Sequence, residues 1–273
     1  MRQRVVRIGI ALAVLAALGT AAVPALAQES ALDRIAKSGV IKVGWAAWNP
    51  YMFRDTKTQQ VSGLAVDVMK ELAAAMGNVK IEWVEDSWAT FVAGLQARKF
   101  DIFFPAVITL KRAMAIGFTD NISNTPTTIL VRRSELAKYK KWQDSDQPGK
   151  KVVVTLGSRN DYYATLMFKR AQLVRVRDDS EAMLELLSGK ADAYVGEVNS
   201  LLTRVKARPR EVAMVRDTMI LGKGSAAINR NDQAFLNWLN LWIQEMIQLG
   251  IFDKIYEKWG VVREINWEKF QEG

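Results

Sequence analysis

With no His and no Cys in its 273 residues, the chain has only Asp, Glu, Lys, Arg, Tyr and Ser for chemistry. That excludes a Ser-His-Asp triad, a cysteine nucleophile, tetrahedral zinc of the usual N/S kind, and iron–sulfur or thioether-haem attachment. What remains is charge and aromatic surface. Arg112 lies near an expected helix start, where a cation opposes the helix dipole, and its planar guanidinium matches a carboxylate's two oxygens. Gly157-Ser158-Arg159 follows an expected buried strand and opens a helix, a place that favours an anion, although Ser158 also reads as a plain helix cap. Glu197 stands at the carboxyl end of a strand, where it suits an ammonium group and equally the dipole of the following helix. Trp48, two residues before Pro50, lies in a loop, and Trp88 opens an apolar helical stripe; each can supply a flat wall or hold a cation.

Alternating strands and helices must position these residues. Val40 to Gly44, Val79 to Val84 and Asp101 to Phe104 read as strands. Leu64 to Met76 reads as a helix, with Leu64, Val68, Leu72 and Met76 on one stripe and Gly77 as its stop. Trp88, Phe91, Val92 and Leu95 follow helical spacing. A second series repeats the plan: strands Lys151 to Leu156, Leu173 to Val176 and Ala191 to Val195, with helices from Ser158, over Ser180 to Leu187, and from Glu197. Phe235, Trp238, Leu239, Trp242 and Met246 share a face of a late helix, and a shorter one follows around Ile251 to Trp259. The pattern predicts an α/β protein built from βαβ units. Leu95 to Asp101 and Leu186 to Asp192 carry Leu, Lys and Asp at the same offsets, an echo that suits two similar units. Thr125 to Arg132 and Arg216 to Ile228 are the expected crossings between them. Two crossings make a hinge, with a ligand cleft between the lobes.

The first 27 residues differ from the rest. Arg2, Arg4 and Arg7 precede an apolar run from Ile8 to Leu18, and Ala25-Leu26-Ala27 gives a small-x-small cleavage site, so a signal peptide removed after Ala27 is expected. No Cys follows for lipid attachment, which predicts a periplasmic protein that is not a lipoprotein. Setting aside those three arginines lowers the formal charge from +9 to +6. No basic block suggests nucleic acid, and no later segment is apolar over a membrane-spanning length.

Trp88 to Asp101 (WATFVAGLQARKFD), Ile108 to Ala113 (ITLKRA), Gly117 to Asp120 (GFTD) and the ending Gly250 to Gly260 (GIFDKIYEKWG) together resemble the family 3 extracellular solute-binding proteins, the periplasmic amino-acid receptors of ABC transporters. The resemblance runs from about Leu32 to Gly260. It implies a type II periplasmic binding protein fold: two α/β lobes, a two-strand hinge and one solute in the interlobe cleft. Lobe 1 is then residues 28–127 and 220–273, and lobe 2 residues 128–219. It also implies a membrane permease as partner, a monomeric receptor, and no cofactor, metal or catalytic residue.

By the same resemblance Arg112 takes the ligand's α-carboxylate, the turn at Ser158 contacts that carboxylate from lobe 2, Trp48 and Trp88 face the ligand side chain, and Glu197 takes the α-ammonium. Departures point away from an ordinary zwitterion. Arg159 replaces a hydroxyl residue and adds a cation. Phe103-Phe104-Pro105-Ala106-Val107 lacks the small polar residues that help bind ammonium and is one residue short, with Pro105 removing a donor at the strand's end. Trp45-Ala46-Ala47 stands where some members carry an acid. The solute is therefore expected to be an amino acid or a related small carboxylate. The alternatives are a periplasmic enzyme similar to cyclohexadienyl dehydratase, with Glu197 as proton donor and Arg112 and Arg159 holding two carboxylates, and a free solute sensor.

Overall fold

The structure, a computed structural model, describes residues 29–265 and 267; the expected signal peptide lies outside the described residues. Ser30 caps the first helix, α1 (Ala31–Ser38), by accepting from the Leu32 N–H, and Gly39 ends it in the left-handed region. The chain then builds β1 (Val40–Trp45), a short hairpin β2–β3 (Phe53–Arg54 and Val61–Ser62), α2 (Leu64–Ala75), β4 (Lys80–Glu85), α3 (Phe91–Gln96), β5 (Ile102–Val107), the single turn α4 (Leu110–Ala113) and β6 (Gly117–Phe118). The long strand β7 (Ser123–Arg132) leads through two 3₁₀ turns to β8 (Lys151–Thr155), α5 (Arg159–Met167), β9 (Gln172–Val176), α6 (Asp179–Leu187), β10 (Ala193–Glu197), α7 (Val198–Ala207) and β11 (Val212–Met214). Strand β12 (Ile220–Ile228) returns, followed by α8 (Gln233–Gln248) and α9 (Ile251–Lys258).

The strands run in the order β4-β1-β5-β12-β7-β10-β8-β9. At one end β4, β1 and β5 are parallel, and at the other β10, β8 and β9 are parallel. Between them lie β12 and β7, antiparallel to each other and to both outer sets. Each middle strand is shared: Ile220–Gly224 of β12 pairs with β7 and Gly224–Ile228 with β5, while β7 pairs with β12 up to Thr127 and with β10 from Thr127 to Val131. The expected crossings are therefore these two strands, and they are hydrogen-bonded to one another along their shared halves.

The apolar strands are nearly continuous in sequence because helices cover both faces. In the second unit Val152, Val154, Ile129, Val131, Ala193 and Val195 enter one core while Val153, Leu130 and Tyr194 enter the opposite one. In the first unit Ile102 and Phe104 join Val43, Leu72, Phe235 and Trp242, whereas Phe103 turns to Phe91, Leu95 and Phe100. The two-residue period of a strand thus sorts one run of hydrophobics into two layers. Helix α8 buries Phe235, Leu239, Trp242, Ile243 and Met246, with Trp238 only half-buried beside them.

Pro105 departs from its expected place. It lies inside β5, buried, rather than at its end. Ala106 and Val107 pair with Ser225 and Gly224, then Ile102 and Phe103 pair with Ile228 and Ala227. Phe104 and Pro105 together oppose Ala226, a bulge, so the proline's missing N–H falls where the ladder is already interrupted.

The sequence echo has a shared physical role. Asp101 donates its N–H to the Lys42 carbonyl and accepts the Lys42 N–H on its carboxylate, at 2.9 and 2.8 Å. Asp192 makes the same reciprocal pair with Lys151, at 2.7 and 2.8 Å. Each aspartate clips the mouth of one strand to its parallel neighbour, and Lys150 also pairs with Asp192 at 2.8 Å. Asp192→Ala should lower the unfolding free energy by about 1–3 kcal/mol, measured by urea denaturation, because it orphans a backbone donor; an unchanged midpoint would show that water replaces the clip at no cost.

Candidate ligand-binding cleft

The six side chains singled out in the sequence, Trp48, Trp88, Arg112, Ser158, Arg159 and Glu197, all line one cleft that is partly open to solvent. Its walls come from the carboxyl ends of strands β5 and β8 and from the turns and helix starts beyond them, the usual place for a ligand in an open α/β sheet.

Thr109 caps α4 by accepting the Arg112 N–H at 3.2 Å, which folds that turn back over the end of β5. The Arg112 guanidinium, 7% exposed, donates from Nη1 to the Val107 carbonyl at 2.9 Å and from Nη2 to the Gly157 carbonyl at 3.0 Å. It lies 4.7 Å from the Phe91 ring centroid and 5.9 Å from that of Trp88, a favourable seat for a desolvated cation. Burial first, and then the nearby Arg159, push its pKa down to about 10, so it stays charged at neutral pH.

Gly157 has φ +71, and a Cβ there would stand 2.7 Å from the Ala89 Cα, so only glycine allows this close approach. The N–H groups of this turn serve the chain itself. Gly157 donates to the Asp161 carboxylate, Ser158 to the Thr155 carbonyl, and Asp161 to the Ser158 hydroxyl. Ser158 is thus a helix cap on the cavity wall.

Arg159, 5% exposed, donates from Nη1 to the Thr127 hydroxyl at 2.5 Å and from Nη2 to the Ile220 carbonyl at 3.4 Å. Its guanidinium carbon is 5.1 Å from the Tyr163 ring centroid. Gly222 makes room for it: a Cβ there would come within 2.6 Å of Cζ. Arg159 is therefore seated against both crossing strands. Burial lowers its pKa to about 10, offset in part by Tyr163 and Glu197.

Glu197 ends β10 and caps α7, accepting from the Asn199 and Ser200 N–H groups at 3.0 Å each and from Asn199 Nδ2 at 3.1 Å. It is therefore a helix cap, as one sequence reading expected, and it also faces the cavity. Trp48 and Trp88 meet edge to face, 5.7 Å apart, and Trp48 leans on Tyr51 at 4.3 Å. Trp88 precedes α3 rather than opening it, held in its turn by Phe91 and Phe103.

The cavity also recruits Val107, Thr155, Asn160, Asp179, Tyr194 and Ser200, which the sequence reading passed over. Val107 and Thr155 end strands, and Asn160, Asp179 and Ser200 lie in first helical turns, so the rule that clefts open at strand carboxyl ends was the available signal. Thr155 donates to Asp179 at 2.7 Å. Burial and then Asp179 hold the Tyr194 phenol well above its ordinary pKa. Beside the cavity, Asn199 Nδ2 donates to the Tyr51 hydroxyl and the Val262 carbonyl, both at 2.9 Å, and Asn199 Oδ1 accepts the Val262 N–H at 3.1 Å. Among the described residues no cluster of acids could hold a metal ion, and no helix is long and apolar enough to cross a membrane.

Two α/β units joined by two strands over a cavity lined with arginine and tryptophan define the type II periplasmic binding protein fold. Residues 41–262 match the model of the bacterial extracellular solute-binding proteins, family 3, and the chain belongs to that family. It is 28% identical over 251 residues to cyclohexadienyl dehydratase of Pseudomonas aeruginosa, covering 91% of this chain and 92% of that protein. It is 26% identical to the L-arginine-binding protein of the same species, over 90% of this chain and 95% of that one. Among solved structures it resembles an ancestral amino acid-binding protein described as a precursor of cyclohexadienyl dehydratase (TM-score 0.78, 34% identity, 85% of this chain and 99% of the other). It also resembles a putative ABC-transporter binding component from Wolinella succinogenes complexed with lysine (TM-score 0.77, 29% identity, 82% and 97%).

Burial raises the Glu197 pKa from 4.5 to about 7, against the opposing N–H bonds from Asn199 and Ser200 and the pull of Arg159. The folded protein then keeps this proton in the window from about pH 4.5 to about pH 7, where the unfolded chain has lost it. Unfolding free energy should fall as pH rises through that window, by up to about 1.4 kcal/mol per pH unit from this group. Urea titrations near pH 5, 6 and 7 should show a flatter slope for Glu197→Gln than for wild type; parallel slopes would mean that Glu197 does not titrate here.

Proposed function

We propose that the protein is a periplasmic substrate-binding protein of an ABC importer that captures an amino acid or a related small carboxylate by hinge closure and presents it to a membrane permease. The observation that carries this reading is the buried Arg112 guanidinium. It is fixed by a carbonyl of its own unit and by the Gly157 carbonyl of the other, and it faces a cavity walled by tryptophan. In this reading lobe 1 comprises residues 28–127 and 220–273 and lobe 2 residues 128–219, with β7 and β12 as the hinge. The family membership and the relatives named as amino-acid-binding proteins support it. A solute that touches Arg112 and Trp48 from one lobe and Arg159 and Glu197 from the other binds the closed form better than the open one, which is what drives closure.

The wild-type protein at a hundred times the dissociation constant of its solute should gain roughly 2.7 kcal/mol of stability, read as a thermal shift. Arg112→Ala should abolish that shift; a variant that keeps full affinity for the same carboxylate overturns the pocket assignment.

A second reading has one observation in its favour: Glu197 keeps a proton near neutrality inside the cavity, and one relative is a dehydratase. Incubation with prephenate or arogenate separates the two. A receptor leaves both compounds unchanged, whereas formation of an aromatic product makes the chain an enzyme.

A further inference from the structure

The two cavity arginines are held separately and alike. Arg112 is mounted on α4 of the first unit, with Val107 and Gly157 carbonyls as anchors and Phe91 as its shelf. Arg159 is mounted on α5 of the second, with Thr127 and Ile220 as anchors and Tyr163 as its shelf. All of these hydrogen bonds go to neutral oxygens. Among the described residues, neither guanidinium forms an ion pair.

Acids do stand on the cavity wall, but neither contacts a guanidinium: Glu197 accepts the Asn199 and Ser200 backbone N–H groups, and Asp179 accepts the Thr155 hydroxyl. A guanidinium offers five donors; each of these uses two in hydrogen bonds to protein, and the buried Arg159 Nε has no partner at all. Two buried cations without contacting counter-charge are costly, and each also raises the cost of the other. One monoanion cancels only half of that charge.

Resting on the solute-binding reading above, we infer that the solute carries two anionic groups, one for each guanidinium. Arg159 is then the residue that sets specificity. It favours an acid with a second carboxylate or similar oxyanion and rejects basic side chains through like charge, in contrast to the relatives named for arginine or crystallised with lysine. Gly222 is a positioning residue, because any side chain there displaces the guanidinium.

Calorimetry on the wild-type chain with straight-chain dicarboxylates from malonate to adipate, their monoamides, L-alanine, L-arginine and L-lysine tests this. One diacid should bind at least about thirtyfold tighter than its own monoamide, since truncating one partner of a buried charge pair costs that much or more. The basic amino acids should bind more weakly still. Arg159→Gln should remove the diacid-to-monoamide ratio, and Arg159→Lys, which keeps the charge and serves if the Gln variant does not fold, should retain only part of it. Arg112-dependent binding of a zwitterion or monoacid in preference to every diacid overturns the inference and leaves the solute-binding reading standing. An unchanged ratio in Arg159→Gln also overturns it, making Arg159 a structural clamp on Tyr163. If the wild type binds no probe of any class, the solute-binding reading falls and this inference with it.

Discussion

A buried guanidinium without a carboxylate partner is the constraint on which the rest of the cleft depends. Arg112 can stay charged at 7% exposure only because its donors meet the ends of two different units and its face rests on Phe91. Each support fixes something else. The Val107 carbonyl is available because β5 stops there and Thr109 turns the chain back into α4. The Gly157 carbonyl is available because that residue takes φ +71 and sits against the Ala89 backbone. Two loops distant in sequence must come together for one cation to be solvated by protein instead of water.

The crossing strands extend the same logic. Because β7 and β12 are paired with each other and each is also shared with an outer set, the two units are parts of one hydrogen-bonded sheet. Arg159 is seated on this junction through Thr127 of β7 and Ile220 of β12, with Gly222 clearing its place. Any rotation of the strands that moves those oxygens also moves a pocket cation. On the proposed reading, hinge and binding site therefore share atoms, and coupling between them needs no longer pathway.

Much of this was legible in the sequence, and the limits have physical causes. Regular elements announced themselves through periodicity: Leu64, Val68 and Leu72 on one helical face, and the apolar runs of β5 and β8. The Leu95–Asp101 and Leu186–Asp192 echo proved to encode an identical strand clip, since an Asp at a strand mouth can accept its neighbour's N–H only in that register. Arg112, Trp48 and Glu197 were reachable through the family resemblance, and Arg112 also because a cation at a helix start opposes the dipole. Thr155, Asp179 and Tyr194 were not, because each is an ordinary strand, cap or core residue until the fold brings them to one wall. Pro105 was misplaced for a similar reason: whether a strand ends or bulges at a proline depends on the partner strand, here Ala226, which is far away in sequence.

What holds the cleft shut also limits what a ligand must do. Besides Arg112 on Gly157, the contacts across it include Asn199 with Tyr51 and with both backbone groups of Val262. Past Val262, Ile265 and Trp267 pack across on the core of the second unit, and Trp267 donates to Thr218 at 2.6 Å. Apart from Arg112, these are neutral hydrogen bonds that trade with water on opening, each worth about 1 kcal/mol net. Two buried cations work against closure, because shutting the cleft strips them of water. On the solute-binding reading, a solute that neutralises the arginines removes a term that opposes closure. On that reading selectivity and motion share one source, the charge the solute brings to two guanidiniums that contact no acid.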